Sequence, residues 1–324
     1  MSPLKVFTDL NASPELLERL REGIRPHELV LPRLVASSVL AEMPADPAMA
    51  EADVAFGQPS VAGVRAAGKL RWLQVSSAGF TRYDTPEFRA EAKERGLAVT
   101  NSSSVYDQAC AEHAFAFLFA QARMLPQGLA TRTPNGSPDW WAIRRGSRLL
   151  EGQSLLLVGY GAIGERLVEL LAPFKMRITA MRRTPRGDEG IPVVTPDGLP
   201  AALAETDHVM NLLPDNAESR GFFDQERFAQ MKAGAVFYNI GRGTTVDQLA
   251  LNDALASDHL AAAWLDVTDP EPLPDDHPLW RRANCHITPH TAGGYEGETR
   301  ALVERFLENF ERYLKGEALR NRVM

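Results

Sequence analysis

The stretch SLLLVGYGAIG, Ser154 to Gly164, limits the possible folds more than any other part of the chain. Its near-continuous apolar run suits a strand covered by helices on both faces. It runs into three glycines, Gly159, Gly161 and Gly164, and Ile163, Leu167, Leu170, Leu171 and Phe174 then recur at the spacing of one buried helical face. Strand, tight turn and helix in this order open a βαβ unit. The first glycine permits the sharp turn, the second allows close backbone approach to a pyrophosphate, and the third allows helix and strand to pack closely.

A helix N-terminus presents unpaired N–H groups and the positive end of a dipole, which suits a phosphate. The turn Gly159, Tyr160, Gly161, Ala162, Ile163, Gly164 is therefore a candidate dinucleotide cradle. The same residues would also serve a tight turn with no ligand; the strand before and the helix after favour the dinucleotide. Eighteen residues beyond Gly164, at the end of the next apolar run RITAM, stand Arg182 and Arg183 (182 − 164 = 18). A carboxylate there would hydrogen-bond an adenosine ribose and repel a 2′-phosphate, whereas a guanidinium fork matches a phosphate. The expectation is NADP(H) as preferred cofactor, with NAD(H) possible; the alternative is a solvated surface pair.

The rest of the chain extends the same pattern. Its 324 residues suggest about two domains. A net charge of −7 without a basic block argues against nucleic acid. No apolar run approaches the roughly 20 residues of a membrane span, and MSPLKVFTD lacks a signal-peptide pattern. Cys110 and Cys285, far apart and expected to be small buried residues, point to a reducing, cytoplasmic setting. KVFT, HELVL, ADVAF, LRWLQVS and LAVTN predict a first set of parallel strands before residue 102. A long apolar helix over Tyr106 to Arg123 and a Pro-, Gly- and Ser-rich segment at 131–153, read as an extended arm or boundary, separate these from a second set. The second set is SLLLV, RITAM, HVMNLL, GAVFYNI, LAAAWLDV and CHITP, and a helix over Gly297 to Leu314 closes the chain. The fold class is α/β, with two Rossmann-like or flavodoxin-like parallel sheets.

In open parallel sheets, ligands sit beyond the carboxyl ends of the strands. Three second-set strands lead to polar groups there: Arg242 in NIGRG, Asp266 and Glu271 in WLDVTDPEP, and His290 in ITPHTAGG. They could converge on one small substrate, although each alone could be an ordinary loop residue. His286 and His290 have the four-residue spacing of a helical metal pair, but Ile287, Thr288 and Pro289 argue for a strand end, so no metal is expected.

QVSSAGF, TNSSSVYDQACAEHAFAFLFAQAR, VGYGAIG, LLPDNAESRGFFDQERFAQMKAGAVFYNIGRGTTVD, WLDVTDPEPLPDDHPLW and ITPHTAGG, in that order, resemble the D-isomer-specific 2-hydroxyacid dehydrogenase family along essentially the whole chain. The resemblance implies a substrate domain from 1–101 plus 293–324 and a dinucleotide-binding domain from 102–292. The active site would lie in the interdomain cleft, and the protein would be a homodimer whose arm includes 131–153. It implies catalysis by Arg242, Glu271 and His290, and substrate carboxylate binding by Ser77, Ala78, Gly79 and Arg242. Leu213, Pro214, Ile240, Gly241, Asp266 and Gly293 would join the glycine turn and Arg182/Arg183 in the cofactor site, Asp266 orienting the nicotinamide amide or supporting the histidine.

The reaction implied is NADPH-dependent reduction of a small 2-oxo acid to a D-2-hydroxy acid. His290 would supply the proton, its pKa raised by Glu271, on the order of 1–2 units for a carboxylate within reach. Arginine at 182 resembles the NADP-using branch that includes glyoxylate and hydroxypyruvate reductases, and Glu271 departs from the formate dehydrogenase branch, which has glutamine there. Asn211 or a neighbour stands where a histidine is frequent, which removes one expected cofactor contact. Alternatives are a phosphoglycerate dehydrogenase-like enzyme, with Arg82 for a phosphate, or a nucleotide-sensing binding protein or corepressor that kept the fold.

Overall fold

The computed structural model describes residues 2–33 and 45–324. The chain divides into two compact units, Met1–Tyr106 with Tyr295–Met324, and Asp107–Gly294.

The strands of the first unit are β1 (Lys5–Thr8), β2 (Glu28–Val30), β3 (Val54–Gly57), β4 (Trp72–Val75) and β5 (Ala98–Thr100). Among the described residues they form one parallel sheet in the order β2-β1-β3-β4-β5. Helices α1 (Pro14–Gly23), α2 (Val61–Ala66) and α3 (Pro86–Arg95) connect strands, and α4 (Ser103–Ala122) leads out of the unit. Helices α1 and α3 start as the sequence dictates: Ser13 and Thr85 accept hydrogen bonds from Leu16 N and Phe88 N, each ahead of a proline in the first turn.

Side chains alternate across this sheet with a period of two. Phe7, Ala55, Leu73, Val75 and Val99 pack on one face with Tyr83 and Phe88. Val6, Val54, Phe56 and Trp72 pack on the other against the last helix of the chain, Glu298–Lys315, through Leu302, Val303, Phe306 and Phe310. Phe306 stacks on Phe56 and Trp72 with ring centroids 4.5 and 5.2 Å apart.

The second unit holds β6 (Ser154–Val158), β7 (Arg177–Met181), β8 (Val193–Val194), β9 (His208–Asn211), β10 (Ala235–Asn239), β11 (Leu260–Leu265) and β12 (Cys285–Ile287). All pairings are parallel, in the order β12-β11-β10-β9-β6-β7-β8. The chain reverses winding direction between β6 and β9, where a crevice opens in such sheets. The helix after the glycine turn, Ala162–Leu171, buries Gly164, Leu167 and Leu171. Leu156, Val158, Val209, Phe237, Ala263 and Leu265 fill the core of this unit.

Two features depart from expectation. Strand β8 was not anticipated; two edge residues carry no periodic signal. The 131–153 segment is not an extended arm throughout: Pro138–Gly146 is helical, with Ser137 accepting from Trp140 N, Asp139 in the first turn and Arg144 and Arg145 in the last. Those end-group preferences outweigh the surrounding glycines and prolines.

Candidate active site

The carboxyl ends of β6, β9 and β10 press closely together. Gly159 has φ +93°, and a Cβ there would lie 3.1 Å from the Leu212 carbonyl. A Cβ on Gly241 would lie 2.7 Å from Leu213 O. The expected cofactor positions Leu213, Pro214, Ile240 and Gly241 thus sit at adjoining strand ends beside the glycine turn.

Gly161 is the residue before the first turn of its helix, and a Cβ there would meet nothing within 4 Å, so space is left beside the helix N-terminus. That fits a bulky pyrophosphate. Gly164 has a different reason from the one expected: its added Cβ would lie 2.9 Å from the Tyr160 ring rather than on a strand backbone. Tyr160 is buried and donates to Glu189 O at 3.2 Å, so it would meet a ligand through its backbone. Ala162 and Ile163 form the first turn of the helix.

Arg182 and Arg183 follow β7 directly. The Arg182 backbone N–H donates to Val194 O at 3.1 Å. Its Nε lies 3.7 Å from Glu189 Oε1, and its Nη1 is buried with no acceptor among the described residues. Arg183 is exposed and ion-paired with Glu218. An unsatisfied guanidinium N–H near the glycine turn fits a nucleotide phosphate.

The turn after β10 is fixed by Asn211, noted from the sequence only for standing where a histidine is frequent, and by Asn239, Thr245 and Gln248, which the sequence did not single out. Asn211 donates to Asn239 Oδ1 at 3.0 Å and to Thr245 Oγ1 at 2.6 Å, while its own Oδ1 accepts from Leu213 N at 3.2 Å. Asn239 accepts from Gly241 N at 3.1 Å and donates to Arg242 O at 3.0 Å. Gly243 abuts the Thr268 and Asp269 backbone so tightly that any side chain would overlap it. Gln248 bonds both backbone groups of Asp269. The loops after β10 and β11 are therefore locked to one another, and Arg242, half-buried, projects from the first with Nη1 2.6 Å from Gly241 O.

His290 Nδ1 is 2.9 Å from Glu271 Oε2, so these two expected partners meet. With Glu271 as a carboxylate, Nδ1 carries the shared proton and Nε2 is the ring nitrogen left for other chemistry. His290 occupies a left-handed backbone conformation, φ +50°. Its N–H donates to Asp266 O and Thr288 O at 2.9 and 3.0 Å.

The Asp266 carboxylate, 1% exposed, accepts from Thr288 Oγ1 at 2.6 Å, Thr291 N at 2.9 Å and Ala292 N at 3.0 Å. Of its two expected tasks, the contacts support the second: it fixes the segment bearing His290, just before Gly293. Behind it, His113 Nε2 lies 3.3 Å from Thr288 Oγ1. Burial lowers the His113 pKa, opposed by the Asp266 charge. Cys110 and Cys285 are free thiols, both pushed up to about 12 by burial.

In the first unit, the turn after β4 has its carbonyls tied back. Ser77 O accepts from Ser102 N at 3.0 Å, Ala78 O from Asn101 Nδ2 at 2.8 Å, and Gly79 O from Ser77 Oγ at 2.5 Å. Among the described residues, no acceptor is bonded to the amides of Ser77, Ala78 or Gly79. Gln58, not singled out from the sequence, donates to Ser77 Oγ at 2.6 Å.

A parallel sheet with a glycine-rich turn at its winding reversal, and a histidine–carboxylate pair at the same edge, defines a dinucleotide-dependent oxidoreductase of the doubly wound class. Residues 115–292 match the model of the D-isomer specific 2-hydroxyacid dehydrogenase NAD binding domain. A glyoxylate reductase/hydroxypyruvate reductase of Mus musculus is 33% identical over 78% of this chain and 77% of its own length. A glyoxylate reductase of Korarchaeum cryptofilum is 32% identical over 78% and 75%. A D-isomer specific 2-hydroxyacid dehydrogenase from Xanthobacter autotrophicus Py2, solved in complex with NADPH and MES, superposes with a TM-score of 0.78 at 26% identity, covering 100% of this chain and 98% of its own. The chain belongs to the D-isomer specific 2-hydroxyacid dehydrogenase family. It is an NAD(P)-dependent 2-hydroxyacid oxidoreductase. Among the described residues, no helix is long and apolar enough to cross a membrane.

Proposed function

We propose that this enzyme uses NADPH to reduce a small 2-oxo acid, either glyoxylate to glycolate (which is achiral) or hydroxypyruvate to the D-2-hydroxy acid glycerate. The observation that carries the reading is the His290–Glu271 pair at 2.9 Å on a segment anchored by buried Asp266. The relatives named glyoxylate reductase support the substrate class, and Arg182 and Arg183 after β7, with the NADPH-bound neighbour, support the cofactor.

The glycine turn Gly159 to Gly164, Arg182, Arg183, Leu213, Pro214, Ile240, Gly241 and Gly293 would hold the cofactor. When bound, the nicotinamide supplies a hydride to the keto carbon. Negative charge then grows on the carbonyl oxygen, and His290, protonated, donates a proton to it from Nε2. Glu271 holds Nδ1 and so orients the ring with Nε2 toward the substrate. Arg242 pairs with the substrate carboxylate and draws charge from the carbonyl. We further propose a homodimer, since Leu129, Trp141 and Leu149 leave apolar surface exposed around the 131–153 segment.

A panel of 2-oxo acids assayed with NADPH and NADH tests the reading. The expected result is greatest kcat/KM for glyoxylate or hydroxypyruvate with NADPH. Replacing Arg182 with Asp and Arg183 with Ala should move preference toward NADH by tenfold or more, on the order of the loss of one charge-assisted phosphate contact. Unchanged selectivity would return both arginines to ordinary surface roles.

A further inference from the structure

The arginines at the end of β7 are not bare. Arg182 lies against Glu189, Arg183 pairs with Glu218, and Arg186 pairs with Glu165 at 2.6 Å and Asp188 at 3.1 Å. Three guanidinium groups face four carboxylates, a local formal charge of −1 (3 − 4 = −1).

The acids differ in mobility. The Glu189 side chain is 3% exposed. It accepts from Arg186 N at 2.6 Å and Gly187 N at 2.8 Å, and its own carbonyl accepts from Tyr160 of the glycine turn. These backbone bonds, chiefly that from Arg186, hold its carboxyl below the usual range, so it stays charged. Glu218, by contrast, is 70% exposed against an equally exposed Arg183, and can swing away.

We infer that Glu189 and Glu218 set the cofactor selectivity of this enzyme by neutralising the arginines in advance, one as a fixed charge and the other as a displaceable one. This rests on the reading that the glycine turn and the end of β7 receive the adenosine half of the cofactor. A 2′-phosphate must expel Glu218 from Arg183 and settle beside the carboxylate of Glu189. A ribose with a free 2′-hydroxyl meets neither cost. The preference for NADPH over NADH is therefore modest and salt-sensitive, in contrast to what two unpaired arginines would give.

The test is equilibrium binding of adenosine 2′,5′-bisphosphate and of 5′-AMP, by calorimetry, to the wild-type protein and to Glu218→Gln, Glu189→Gln and Arg183→Ala. At low ionic strength Glu218→Gln should tighten the bisphosphate about three- to fivefold, as expected for release of an exposed ion pair. Binding of 5′-AMP should stay within about twofold, and about 0.5 M salt should abolish the gain. Glu189→Gln keeps a hydrogen-bond acceptor for Gly187 N and should act in the same direction; if it lowers Tm sharply, Glu218→Gln alone decides. Equal bisphosphate affinity in wild type and Glu218→Gln would overturn the inference. Failure of Arg183→Ala to weaken the bisphosphate would instead overturn the placement of the adenosine, so the two failures are told apart.

Discussion

The two ends of the seven-stranded sheet are built from similar residues to opposite purposes. At the amino end, His208 Nε2 donates to Gln153 Oε1 at 2.7 Å and its Nδ1 accepts from Tyr238 OH at 2.9 Å. Beside it, Asp207 takes hydrogen bonds from Ser154 N and Oγ and pairs with Lys232 Nζ at 2.6 Å. Every polar atom there is used by another, and the network closes on itself. At the carboxyl end, Asn211, Asn239 and Asp266 bond one another's neighbouring side chains and the backbone of the turns, fixing those turns, while His290 and Arg242 remain partly exposed. Polarity at one end holds the strands; at the other it holds the loops from which the proposed catalytic side chains project.

The sharpest way to break this comparison is His290→Ala. It should lower turnover of glyoxylate with NADPH by about 10²–10⁴-fold, the usual contribution of a general acid, while Tm and NADPH binding change little. Survival of activity would remove His290 from the proton-donor role.

His208 gives the converse, a large effect on stability with none on chemistry. Burial lowers its pKa to about 4, against about 6.5 when unfolded. The folded state therefore binds fewer protons in that window. The stability is complete above pH 6.5 and is lost as pH falls toward 4, at most about 3 kcal/mol over the interval. Urea unfolding followed from pH 7 to pH 4 should show a steeper loss in wild type than in His208→Gln; parallel curves would mean that the buried imidazole does not govern the acid limb.

Asn211→Ala sharpens the boundary between the two ends. It strips hydrogen bonds from Asn239, Thr245 and Leu213, and should cost about 1–3 kcal/mol for buried groups left unpaired. Because the Asn239 turn carries Arg242, kcat/KM should also fall, by about tenfold, with KM for the 2-oxo acid taking most of the change. A loss of stability with KM untouched would separate Asn211 from the Arg242 turn.

Much of this architecture can be read from the chain alone, for identifiable reasons. Strands such as SLLLV and RITAM are near-continuous apolar runs, and the observed Ser154–Val158 and Arg177–Met181 coincide with them. Arg242, Glu271 and His290 stand just past strand ends, where sequence order alone places them at one edge. The sequence does not reveal partners that meet across long separations: Asn211 and Asn239, 28 residues apart, or His113 and Thr288, 175 apart. A single asparagine at the end of an apolar strand looks like a terminator until its neighbour is visible. Glu189 was hidden for another reason: in RTPRGDEG it resembles any solvated acid, and only the backbone amides of Arg186 and Gly187 reveal that it is fixed.

The corner at His290 has an evolutionary consequence. A backbone with φ +50° is tolerated by glycine, asparagine, aspartate and histidine, and penalises β-branched residues. A descendant that drifted to asparagine at this site would keep its shape while losing the proposed proton donor. Inactive relatives that persist as folded nucleotide binders are thus only one tolerated substitution away, and a survey of natural variation at this corner should find asparagine or glycine far more often than valine or isoleucine.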